Sequence, residues 1–265
     1  MSAHIAGSHR FANPALCVAV ALVFALPLVG CITEGTGLAQ AKPDMARAAE
    51  LNTQLGVSYA REGDLALARK KLEQAVRQRD DYAPAHVALA YVYAQTGAAA
   101  AAEQEYRRAL KLAPNDPDTQ NNFGAFLCAN GEGDKARAYF QRALANPDYA
   151  TPAAAWTNAG VCARKQKHDD VAQQDFTNAL RADPKFAQAI EQLALLSFDH
   201  GQYARAQMLE RQYAAVAHPG PEMLLLSART ERALGNAARA RAIEVQLIQI
   251  YPQSPQAAQV SEPKP

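Results

Sequence analysis

Counting in steps of 34 from Gly56 lands on Ala90 and Gly124; after a slip of two residues the steps resume at Gly160, Ala194 and Ala228. Twelve residues beyond each of these six stands an alanine: Ala68, Ala102, Ala136, Ala172, Ala206 and Ala240. A fixed period dictates architecture. A repeat of about 34 residues holds two antiparallel helices of three to four turns and a short loop, and such a unit must stack on its neighbours to bury its apolar face. The small residues mark where the two helices of a unit cross, since only glycine or alanine lets the backbones approach there. Leu55, Leu89 and Phe123 sit one residue before the small position and are expected to fill the layer around the contact. Leu72, Tyr106, Phe140 and Phe176 follow the alanine by four, on the same helical face, and Ala75, Ala109, Ala143 and Ala179 come three later. Pro114, Pro184 and Pro252 close their units, because proline rarely continues a helix, and Gly63-Asp64 reads as a helix end followed by a capping acid.

This pattern resembles the tetratricopeptide repeat, with Trp156 at the aromatic position that opens a consensus unit. The resemblance implies an all-α solenoid of about six helix pairs over residues 49–254, with repeats beginning at Ala49, Ala83, Pro117, Ala153, Ala187 and Pro221. First helices are expected to line the concave side. The last two repeats depart from the pattern, with Glu210 and Glu244 in the usual aromatic slot, and the two extra residues fall within 146–152. Residues 255–265 hold three prolines and read as a flexible tail.

The N-terminus is of another kind. Arg10 is the only charged residue among the first thirty, and the apolar run that follows it ends in Leu28-Val29-Gly30-Cys31. The run suits a secretory signal and is too short to span a membrane as a helix. An ordinary cleaved signal or a buried apolar helix are the plainer alternatives. The ending resembles a bacterial lipobox, which implies a signal peptide over residues 1–30, lipidation of Cys31, and a tether over 31–48. Ile32-Thr33 lacks the aspartate that retains lipoproteins in the inner membrane, so the expected address is the periplasmic face of the outer membrane.

Without Arg10 the chain has 26 basic and 26 acidic residues and no basic stripe, which argues against nucleic acid as a partner. Of four cysteines only Cys128 and Cys162 lie in the repeats, on first helices of successive units. In an oxidising compartment they could pair; two small buried apolar residues is the preferred reading, because disulfide geometry is demanding. His86, His168, His200 and His218 form no metal-binding pair, and Gly131-Glu132-Gly133-Asp134 falls in an inter-helix turn rather than a phosphate loop. No catalytic constellation, metal site, cofactor or small-molecule substrate is expected.

Groove-facing slots of a first helix are usually polar. Here repeats one and two place Thr53, Val57, Val87 and Tyr91 there, with Leu195, Phe198 and Leu225 in repeats five and six. Such a surface would take an apolar partner segment, unless the termini or neighbouring repeats cover it. Asn121 is expected nearer the groove, whereas Asn122 and Asn158 hold a consensus packing slot. The stretches Gln-Leu-Gly-Val-Ser-Tyr-Ala-Arg-Glu-Gly-Asp at 54–64, Asn-Asn-Phe-Gly-Ala-Phe-Leu-Cys at 121–128, Ala-Gly-Val-Cys-Ala-Arg-Lys-Gln-Lys at 159–167 and Ile-Gln-Ile-Tyr-Pro-Gln-Ser at 248–254 resemble the type IV pilus biogenesis/stability lipoproteins of the PilF/PilW family. That resemblance implies a pilotin: a lipid-anchored protein that binds secretin subunits and promotes their outer-membrane localisation and multimerisation. Other envelope-assembly roles are the alternatives, in β-barrel assembly or as an adaptor for a cell-wall hydrolase.

Overall fold

The computed structural model describes residues 44–261, which form thirteen helices and no strand. They are α1 (Met45–Arg61), α2 (Leu65–Gln78), α3 (Ala83–Gln95), α4 (Ala99–Leu112), α5 (Pro117–Ala129), α6 (Gly133–Leu144), α7 (Pro152–Lys165), α8 (Asp169–Ala182), α9 (Ala187–Asp199), α10 (Tyr203–Val216), α11 (Pro221–Ala233), α12 (Ala237–Ile250) and α13 (Pro255–Ser261). The stretch 1–30 read as a signal peptide and Cys31 read as the lipidated residue lie outside the described residues.

Local chemistry starts and stops these helices. Asp44, Asp64 and Asp116 cap α1, α2 and α5 by accepting from the backbone N–H of Arg47, Leu67 and Thr119. Proline occupies the first or second position of α3, α5, α7 and α11, where its missing N–H costs nothing. Five of the six turns that follow a first helix contain a glycine at positive φ, and the sixth has Lys167 at φ 62°.

Twelve helices pair within the repeat, α1 with α2 through α11 with α12. All twelve small residues of the period are buried. A Cβ added to Gly56 would come 2.5 Å from Leu72 Cγ and 3.2 Å from the Ala68 carbonyl oxygen. The glycine therefore makes room for the large side chain four residues past the alanine as well as for the opposing backbone. The same holds for Gly124 beneath Phe140. Glu210 occupies the aromatic slot of repeat five in the interior, where its Oε1 accepts from Thr230 Oγ1 at 2.6 Å. Burial raises its pKa above the usual carboxylate value, against hydrogen bonds from Thr230 and Ser227.

Three expectations need correction. The stretch from 31–48 read as tether runs into α1, which starts at Met45 rather than Ala49. The stretch read as a flexible tail from 255 contains α13, whose Ala257 and Val260 pack on Leu224, Leu225 and Leu247. Leu89 and Phe123 are buried as expected, but Leu55 is 44% exposed, because among the described residues no helix pair precedes α1 to cover its outer face.

Candidate functional site

A groove of about 650 Å³ crosses the first three repeats, lined mostly by their first helices. Its floor is apolar: Val57 and Ala60 from α1, and Val87, Ala88 and Tyr91 from α3. The far wall is α5, with Asp118, Thr119 and Asn122. The groove exists because first helices that pack along one another elsewhere part here. α1 lies against α3, and α5 against α7, but α3 and α5 scarcely touch. The junction between these repeats is filled instead by aromatic rings, Tyr106 lying 5.4 Å from Phe123 and 5.5 Å from Phe126 between centroids. Burial, and secondarily the nearby Tyr91, push the Tyr106 phenol up to about 12.

Of the five groove residues read from sequence, the structure brings Val57, Val87 and Tyr91 together on the floor. Tyr91 is 49% exposed, a large apolar ring left without cover. Thr53 is buried, with its hydroxyl donating to the Ala49 carbonyl at 2.8 Å. Asn121 and Asn122 exchange the places expected of them. Asn121 is buried and accepts from Asn158 Nδ2 at 3.0 Å, and Asn122 lines the groove. The cause is helix phase: neighbouring residues on a helix point about 100° apart, and the packed face of α5 takes Asn121 with Gly124 and Cys128. Leu225 is not open either, because α13 covers it, and the Phe198 ring packs at a tilt against Tyr203 with centroids 5.3 Å apart.

Arg61, Asp116 and Asp118 at the groove's margin were not read from sequence as site residues. Asp116 is spent on capping α5, accepting from the backbone N–H and the hydroxyl of Thr119. Among the described residues Arg61 and Asp118 take part in no ion pair. The groove thus offers apolar area with one free charge of each sign, an arrangement suited to holding a peptide segment.

The tetratricopeptide-repeat family profile matches residues 53–117 and 127–185. A protein of Haemophilus influenzae is 32% identical over 146 residues, covering 55% of this chain and 82% of its own length. The type IV pilus assembly protein PilF of Pseudomonas aeruginosa is 27% identical over 243 residues, covering 90% of this chain and 96% of PilF. The crystal structure of PilW, a widely conserved type IV pilus biogenesis factor, superposes with a TM-score of 0.72 at 31% identity, over 81% of this chain and 98% of PilW. The chain belongs to the PilF/PilW family. That homology supports a role in type IV pilus biogenesis, and a tetratricopeptide-repeat solenoid is a fold suited to protein–protein contacts.

In this PilF/PilW protein Cys128 of α5 and Cys162 of α7 are joined by a disulfide, with Cα atoms 5.7 Å apart. The preferred reading of two unlinked buried cysteines is therefore overturned. The two cysteines do not hold equivalent positions, since Cys128 lies four residues past Gly124 and Cys162 two past Gly160; they meet because α5 and α7 pack side by side, which brings these two points together across the helix–helix contact. A second link between the same repeats is Arg137 Nη1 to Asp175 Oδ2 at 3.0 Å. Burial raises the Asp175 pKa, and the Arg137 guanidinium only partly opposes it.

Proposed function

We propose that this chain is a pilotin. It is held at the periplasmic face of the outer membrane through lipid on Cys31, binds secretin subunits in the groove across α1, α3 and α5, and promotes their localisation and multimerisation. The observation that carries the reading is that apolar groove in a PilF/PilW family member, with Tyr91 uncovered on its floor. The physics of the two parts is complementary. A cysteine bearing more than one acyl chain stays on its membrane, where a single chain would not. A groove on a tether then keeps its cargo near that surface at raised effective concentration.

The test is genetic and biochemical. In cells lacking the gene, secretin stays monomeric and twitching motility is lost; the wild-type gene restores both. Val57→Asp and Tyr91→Asp restore neither, although each purified variant keeps its helical circular dichroism. Cys31→Ala leaves secretin oligomers, if any form, out of the outer membrane. Normal secretin multimers in the deletion strain overturn the proposal.

A further inference from the structure

We infer that the groove recognises a dipolar peptide segment: an apolar stretch with a basic residue at the end that meets Asp118 and an acid at the end that meets Arg61. The inference rests on the pilotin reading for the identity of the protein that carries the segment, and adds which way that segment lies.

First helices of successive repeats are separated by one antiparallel partner, so α1, α3 and α5 run in the same sense. Arg61 is the last residue of α1, and Asp118 is the second of α5. The two charges therefore stand at opposite ends along the helix axes and on opposite walls, with Val57, Val87 and Tyr91 between them. The groove is crossed on a diagonal. Both charged side chains are exposed and neither is paired among the described residues, whereas Asp116, the other charged residue lining the groove, is held by its hydrogen bonds to Thr119. α3, the helix between the walls, carries no acid, lysine or arginine. An occupant with its charges reversed would set its acid against Asp118 and its base against Arg61, so opposite charge at the rim selects one orientation while the apolar floor supplies the grip.

The probe is the purified periplasmic region of the secretin from the same cells. Arg61→Glu and Asp118→Lys should each weaken its binding roughly three- to tenfold and flatten the salt dependence, as rim charges do. Overlapping peptides from that region then locate the bound segment. Changing its basic residue to glutamate should weaken binding to the wild-type protein to a similar extent and regain it with Asp118→Lys. If Val57→Asp abolishes secretin binding while both charge variants bind like wild type, or if the paired charge swap fails to rescue, the orientation rule is overturned and the pilotin reading stands. If the secretin region does not bind the wild-type protein at all, the pilotin reading fails, and this inference fails with it.

Discussion

Gly160 lies directly beneath the ring of Phe176, so closely that an added Cβ would stand 2.5 Å from its Cε1. Alanine there must push the ring or the α7–α8 crossing aside. Overpacking of this kind costs about 1–3 kcal/mol, and the better helix propensity of alanine returns up to about 1 kcal/mol of it. Gly160→Ala should therefore lower the unfolding free energy by about 1–2 kcal/mol, read from the urea midpoint at constant slope. A midpoint unmoved or raised would mean that the crossing has slack.

Lys167 stands where the other five repeats place glycine, at φ 62°. A side chain in the left-handed region costs about 1 kcal/mol, which glycine avoids. Lys167→Gly should raise the thermal midpoint, equivalent to about 1 kcal/mol of added stability, whereas Gly131→Lys at the matching turn should lower it by a similar amount.

His86 is buried with Nδ1 2.5 Å from Glu105 Oε2 and Nε2 2.9 Å from the Asp80 carbonyl oxygen. Desolvation alone would lower its pKa, and Arg108 acts the same way, but the two hydrogen bonds and the charge of Glu105 outweigh them and raise it above the ordinary 6.5. A raised folded value means that folding favours the protonated ring. The stabilisation is present in full below pH 6.5 and fades as the pH climbs through the raised value. The stability gap between wild type and His86→Gln should accordingly be wider at pH 5.5 than at pH 8.5, measured by urea unfolding at both. A gap that widens with pH would contradict the protonated assignment.

The Cys128–Cys162 link closes a loop of 34 residues. In the chain-entropy limit such a crosslink contributes about 4 kcal/mol, acting on the unfolded chain. Reduction with a thiol, or paired replacement by alanine, should lower the urea midpoint markedly with the helical spectrum unchanged before the transition. Loss confined to α5–α8 in hydrogen exchange would locate the effect in repeats three and four.

Much of the solenoid was legible because its cause is periodic. Gly56 and Ala68 recur in every unit as small residues, since each crossing imposes the same distance, and all twelve are buried. What escaped is what breaks the period. Leu55 holds the position of Leu89 and Phe123, yet among the described residues it has no earlier pair to pack on. Ala257 and Leu225 gave no sign of meeting, because α13 is too short for periodicity and begins among prolines. Val57, Val87 and Tyr91 were readable as apolar residues in polar slots. The exchange of Asn121 and Asn122 turned on one residue of helix phase, finer than a pattern match resolves. The parting of α3 from α5 depends on how rings such as Tyr106 and Phe126 fill the junction, and no single position announces it.

The two ends of the stack differ in kind. α13 seals α11 and α12 with Ala257 and Val260, whereas Met45, Leu51 and Leu55 of α1 are exposed, with no helix pair before α1 among the described residues. In a structure whose units hold only their neighbours, cohesion at the bare end is one interface short. Melting should start at α1 and travel toward the sealed end, dismantling the Val57 part of the groove floor while the later repeats still stand.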